Sequence, residues 1–196
     1  AAGQIGSELV PELRNKYGNN NVIAAGHKTP LTDDLLSTGP CTTIDVTNYN
    51  AIKDVIEKYD IDTVFHMSSI LSALAEQKSQ IAYKVNFSGL YNLLEIGVTQ
   101  NLTRIIVPSS IASFGPETPQ VNTPNDTILK PKTLYGISKV FGELMGDYYF
   151  LKHGLDVRGI RLPGIISWKT EPTAGTTDYA VAIFYEAIRH KRYTCY

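Results

Sequence analysis

Short apolar runs alternate with longer amphipathic stretches along this chain, and that alternation limits the fold more than any other feature. Residues 21–25 (NVIAA), 42–46 (TTIDV), 62–67 (DTVFHM), 104–107 (RIIV) and 157–162 (VRGIRL) read as five strands. They are apolar on both faces, as expected of strands covered by helices on two sides. Between and around them, residues 4–17, 48–59, 77–98, 135–152 and 178–190 carry helical periodicity. The first of these places Ile5, Leu9, Val10 and Leu13 on one stripe, and Gly18 closes it. Pro11 is expected in its first turns, where a missing N–H costs least. Strand–helix alternation implies parallel pairing through right-handed crossovers, hence an α/β, doubly wound parallel sheet of the Rossmann type. Residues 26–40 and 113–134, rich in Pro, Thr, Asn and Gly, read as loops.

The chain opens with AAGQIGSELV. Gly3 and Gly6 before a helix match the latter part of a phosphate-cradling turn, in which backbone N–H groups face a pyrophosphate and glycine lets the backbone come close. The strand and first glycine that usually precede such a turn are expected just upstream of Ala1. The 196 residues are therefore expected to be a piece of a longer chain. A dinucleotide-binding domain is expected over residues 1–162, and the start of a smaller substrate-binding lobe over 163–196.

Composition excludes several classes. The net charge is −1 with no block of like charge, which argues against a nucleic-acid partner. No apolar run approaches transmembrane length, so no membrane partner is expected. The two cysteines, Cys41 and Cys195, lie far apart, with no CxxC and no histidine pair at helical spacing. That reads as a reducing compartment without a structural zinc, and no metal site is expected. A serine hydrolase lacks its GxSxG here.

The stretch TLYGISK puts Tyr135 and Lys139 four apart on one helix face. A lysine ammonium there is expected to favour the phenolate and lower the Tyr135 pKa, giving a usable base near neutral pH. The same spacing recurs at Tyr49/Lys53 and Tyr148/Lys152, read as exposed positions on amphipathic helices. Tyr135 differs in following PSSIASFG, which sets Ser109 and Ser110 at the carboxyl end of a strand, where open α/β sheets bind ligands. His66 reads as a packed strand-end residue.

The glycine turn together with TIDV, VFHMSS, KVNFSGLYNLLE, PSSIASFG and YGISK resembles the extended short-chain dehydrogenase/reductase superfamily. RLPGIIS and AGTTDYAVAIFYEAI narrow the resemblance to short-chain, NAD-dependent L-threonine 3-dehydrogenases. That resemblance implies oxidation of the L-threonine hydroxyl to 2-amino-3-oxobutanoate with hydride transfer to NAD. It implies Tyr135 as general base, Ser110 as the group holding the substrate oxygen, and Lys139 on the nicotinamide ribose. It also implies Gly3, Gln4, Ile5, Asp45, Val46 and Ile165 as cofactor contacts, and Ser72, Thr177 and Asp178 around the amino acid. A homodimer formed through residues 77–98 and 135–152 follows from the same resemblance. So does a cytoplasmic location in a prokaryote or a mitochondrial one in a eukaryote. One departure concerns the cofactor. Gly26 stands where the family commonly has an Asp for the adenosine ribose, and His27 and Lys28 follow, which leaves NADP open. Two rivals share the scaffold or part of it: a sugar-nucleotide epimerase or dehydratase, and a non-catalytic dinucleotide-binding fragment. Residues 171–182 carry no basic group, which argues against a nucleotide-diphosphate substrate.

Overall fold

The computed structural model describes residues 1–167 and 177–194. They form two compact units, one of residues 1–44 and 164–196 and one of residues 45–163.

The first unit begins with α1 (Gln4–Tyr17), and β1 (Ala24–Gly26), α2 (Asp33–Thr38) and β2 (Cys41–Thr43) follow. β1 and β2 pair in parallel, Ala24 opposite Cys41 and Gly26 opposite Thr43. Val10, Ala24 and Leu35 form the core, with Val22, Leu31 and Cys41 packed on it. The expected helical stripe is only partly right. Ile5, Leu9 and Leu13 are half-buried, whereas Arg14 is 2% exposed. Its guanidinium donates to Leu35 O at 2.7 Å, Thr38 Oγ1 at 2.7 Å and Pro40 O at 2.8 Å. A buried cation needs such partners, and these tie α1 to α2 and to the turn before β2. The short α2 lies where a loop was expected, because six residues are too few to show a period. Pro11 lies well inside α1, not in its first turns, and the helix continues to Tyr17.

The second unit holds α3 (Tyr49–Tyr59), β3 (Thr63–Phe65), α4 (Ser72–Gln77), α5 (Ser79–Ala82), a π-helical segment (Tyr83–Ser88), α6 (Gly89–Thr99), β4 (Arg104–Ile106) and β5 (Ser109–Ser110). A 3₁₀ turn (Ile111–Ser113), α7 (Leu134–His153), β6 (Asp156–Arg158) and β7 (Arg161–Leu162) complete it. β3, β4 and β6 form a parallel sheet in that order, and β5 pairs in parallel with β7. Leu90, Leu93, Leu94 and Ile96 of α6 are buried with Ile105 of β4, Leu155 and Tyr149.

All pairings are parallel, as the alternation implied, but each strand is shorter than its apolar run. The run 157–162 splits into β6 and β7, and 42–46 yields a strand that stops at Thr43. Phe65 at the end of β3 remains 38% exposed, so that strand is not covered on both faces. The helix expected over 77–98 runs on through α5, the π-helical segment and α6, with right-handed helical backbone at Ala82, Tyr83, Ser88 and Gly89; the irregular Lys78 (φ −127°, ψ 55°) separates it from α4. In α7, α3 and α8 (Tyr179–His190) the expected helices recur with one-residue shifts at their ends. No helix among the described residues is long and apolar enough to cross a membrane.

Candidate active site

The candidate residues divide between the two units. In the second unit, Ser110 and Tyr135 are brought together from β5 and the first turn of α7. The Ser110 hydroxyl accepts from Ala112 N at 3.1 Å, capping the 3₁₀ turn. Ser110 also lies beside the Tyr135 phenol and bears on its ionisation. α7 starts where it does because Thr133 Oγ1 accepts from Gly136 N at 3.1 Å, and Glu76 of α4 accepts from Leu134 N at 2.7 Å. Gly136 makes the approach possible, since a Cβ there would lie 2.3 Å from Ala112 O and 2.6 Å from Pro131 Cβ. One turn on, Lys139 Nζ donates to Pro108 O at 2.9 Å and sits 5.2 Å from the Tyr135 ring centroid.

The electrostatics correct one expectation. Burial raises the Tyr135 pKa above its ordinary value, and the Ser110 hydrogen bond offsets that only in part. Burial also disfavours the charged form of Lys139 and brings its pKa down to about 8. His66 follows β3, with its backbone N–H on Ile106 O at 2.8 Å. Burial, and then the Lys139 charge, push its pKa down to about 4, so it is neutral at physiological pH.

Ser109 and Ser110 have separate tasks. Ser109 is buried and donates to Glu143 Oε1 at 2.5 Å. Arg161 grips the same carboxylate through Nε at 2.9 Å and Nη2 at 2.7 Å, and its Nη1 donates to Asn125 O at 2.9 Å. Burial pushes the Glu143 carboxyl up, but bonds from Arg161 and Ser109 and the Arg161 charge outweigh it, and the net shift is downward. This cluster fastens β5 to α7 and holds the loop before α7.

Two contributors were not legible in sequence. Asn86 accepts from Ile70 N at 2.7 Å and donates to Ile70 O at 3.0 Å and Ser138 Oγ at 3.3 Å. Ser138 Oγ in turn donates to Tyr135 O at 2.7 Å. Glu76 was hidden because α4 is only six residues long. Ser72 is the first residue of that helix, which packs against α7. Asp45 and Val46 fall in a turn, not in a strand. Asp45 Oδ1 accepts from Thr47 N at 2.9 Å, and Val46 packs on Gly89 of α6. Of the two look-alike pairs, Tyr148 is 52% exposed, as expected. Tyr49 is half-buried, contrary to the expectation, and Lys53 pairs with Glu57 at 3.5 Å.

In the first unit, Gly3 precedes α1, and a Cβ on it would meet nothing within 4 Å. Gly6 faces the turn closely, since its Cβ would lie 2.4 Å from Ala1 O. No acidic residue stands in the first turn of α1. Open space over Gly3, an uncapped helix start and no acidic residue in the first turn of the helix itself fit a dinucleotide pyrophosphate. Gln4 Nε2 donates to Asp178 Oδ1 at 3.1 Å. Thr177 Oγ1 donates to Ile165 O at 3.2 Å, and Thr177 packs so closely on Gly164 that a Cβ there would lie 2.2 Å from its Cγ2. Asp178 flanks α8 without a side-chain cap bond to it, so capping does not account for this carboxylate. Gly26 ends β1. Residues 174–176 of the AGTTDYA stretch and Cys195 lie outside the described residues.

The chain is 47% identical to an epimerase/dehydratase of uncharacterised function from Staphylococcus haemolyticus over 196 residues, which are all of this chain and 61% of that protein. An L-threonine dehydrogenase from Clostridium difficile superposes with a TM-score of 0.91 at 48% identity, covering 99% of this chain and 60% of that one. A GalE-like L-threonine dehydrogenase from Cupriavidus necator in its holo form gives 0.91 at 42% identity, covering 98% and 62%. The chain thus spans about three-fifths of the length of these proteins. Residues 1–192 match the NAD dependent epimerase/dehydratase family, and the chain belongs to that family.

Proposed function

We propose that this chain carries the dinucleotide-binding and catalytic part of an L-threonine 3-dehydrogenase that uses NAD. The observation that supports it most is Ser110 beside the Tyr135 phenol, with Lys139 one helical turn on. Tyr135 takes the proton of the threonine 3-hydroxyl as its C3–H is lost to the cofactor, leaving 2-amino-3-oxobutanoate. Ser110, which also accepts from Ala112 N, gives its one proton to the same oxygen, and its place beside Tyr135 offsets in part the burial that disfavours the phenolate. Bound dinucleotide supplies the hydride acceptor. Gly3, Gln4 and Ile5 would hold its pyrophosphate, Asp45 and Val46 its adenosine end, and Lys139 and Ile165 its nicotinamide end. Ser72, Thr177 and Asp178 would surround the amino acid.

Residues 163–196 are taken as the start of a substrate lobe. A second copy of this chain is the occupant we propose for the apolar surface of α6 and α7, where Tyr91, Leu144 and Leu151 are exposed. The names of the threonine dehydrogenases support threonine as substrate, and that of the staphylococcal relative keeps an epimerase or dehydratase as the alternative.

The test is reduction of NAD, followed as NADH, by the natural full-length protein with L-threonine and with UDP-sugars. Tyr135→Phe should lower kcat by about two to four orders of magnitude, the usual worth of a general base, while NADH binding persists. Tyr148→Phe should be near neutral. Near-normal turnover in Tyr135→Phe refutes the catalytic assignment, and a sugar nucleotide used better than threonine refutes the substrate.

A further inference from the structure

The first turn of α7 carries Tyr135, and the backbone N–H groups of such a turn have no partners within the helix. Thr133 Oγ1 takes one of them, from Gly136 at 3.1 Å. Glu76 Oε1 takes another, from Leu134 at 2.7 Å, across 58 positions of the chain. A neighbouring residue caps a helix without ordering any distant segment. This cap instead ties the start of α7 to the place of α4.

α4 has six residues, too few to be stable alone in water, so its position is set by what it touches. Ala75 is buried, and the helix packs against α7. Just before α4, the Asn86 amide holds Ile70 through its N–H at 2.7 Å and its carbonyl at 3.0 Å. The same amide donates to Ser138 Oγ at 3.3 Å, which in turn donates to Tyr135 O at 2.7 Å. Residues 70–76 are thus fastened to the Tyr135 turn at both ends. Ser72 lies between the two fastenings and shares a face of α4 with Glu76, one helical turn on.

We propose that Glu76 is a positioning residue. By accepting from Leu134 it fixes the separation between Ser72, on the substrate side, and Tyr135, the general base. The inference rests on the threonine reading above, in which Ser72 meets the amino acid and Tyr135 takes the hydroxyl proton. Glu76 acts through α4 and α7 and not on the reacting atoms. What it supplies is an acceptor at one point, and an amide oxygen there can take the same N–H.

The test compares Glu76→Ala and Glu76→Gln in the natural full-length protein. Glu76 is exposed, and alanine is the best helix former, so the acceptor is lost without weakening α4 itself. In Glu76→Ala the KM for L-threonine should rise about tenfold, the worth of a hydrogen bond to a charged group. kcat should fall by less, because Thr133 still caps α7, and the Kd for NADH, from fluorescence titration, should stay within about threefold. Glu76→Gln should bring the KM back to within about threefold of the parent. Ser72→Ala should raise the KM by itself, and adding Glu76→Ala to it should raise it by clearly less than in the parent, because Glu76 acts through Ser72. A lower melting temperature with an unchanged KM in Glu76→Ala overturns the proposal, since the bond then only caps a helix. So does a Glu76→Gln variant as impaired as Glu76→Ala, NADH affinity lost in step with the KM, or additivity with Ser72→Ala. Failure of the threonine reading shows elsewhere, in the parent protein, as preference for a UDP-sugar. That result would overturn both, whereas a threonine-oxidising parent with the wrong variant pattern overturns this proposal alone.

Discussion

Replacing Lys139 by Met should stabilise the cofactor-free protein while abolishing its activity, and the gain should vanish with rising pH. The Lys139 pKa falls from 10.5 to about 8 because burial disfavours its charged form. That drop corresponds to about 3 kcal/mol of penalty at neutral pH, where the lysine is charged in both the folded and unfolded states. Methionine removes the penalty but also the bond to Pro108 O at 2.9 Å, leaving that carbonyl without its lysine donor. Such a loss costs about 1–2 kcal/mol, so the net gain at pH 7 is about 1–2 kcal/mol. For a domain of this size that is roughly 2–8 °C in melting temperature. The sign of the pH dependence follows from linkage. Between pH about 8 and about 10.5 the unfolded lysine holds a proton that the folded one has released, so parent stability rises with pH across that window relative to the variant. Thermal unfolding of both proteins at pH 7 and pH 10, without cofactor, reads the difference directly. A variant less stable than the parent at pH 7, or a gap of the same size at both pH values, would show that burial does not set the Lys139 charge.

Two further outcomes test the site's construction. Gly26→Asp would place an acidic group at the end of β1, and the nearest atoms to its Cβ would be those of the Leu31 side chain, at 3.2 Å. The NAD over NADP ratio of kcat/KM should rise by about tenfold or more, the value of a charged hydrogen-bond partner, and an unchanged ratio means that Gly26 is not the ribose position. Gly136→Ala would put a methyl 2.3 Å from the Ala112 carbonyl, so the first turn of α7 must move away from Ser110. It should cost about 1–3 kcal/mol in unfolding free energy and reduce kcat in the protein that remains folded; parent-like kcat would mean that this approach does not set the Tyr135 geometry.

What was legible in the sequence is what repeats along the chain. A helix needs a stripe over several turns, and α1, α3, α7 and α8 are long enough to show one, so their bounds recur within a residue or so. The parallel pairing followed from the same alternation. Tyr135 and Lys139 were legible because four residues is one helical turn, and the motifs around them carried the resemblance to threonine dehydrogenases.

What only the tertiary structure decided is whatever depends on residues far apart in the chain. Arg14 looks like surface until α2 and the turn before β2 surround it with carbonyls. Ser109 and Ser110 are alike in sequence, yet Glu143 and Arg161 claim the first and leave the second to Tyr135. The sign of the Tyr135 pKa shift turned on burial, which competes with the Lys139 charge and has no signature in the spacing of two residues. Gln4 and Asp178 stand 174 positions apart, and no local pattern links them. Chain order records periodicity and turn chemistry, but the partners of a buried polar group are assigned only when distant segments meet and each must satisfy the other.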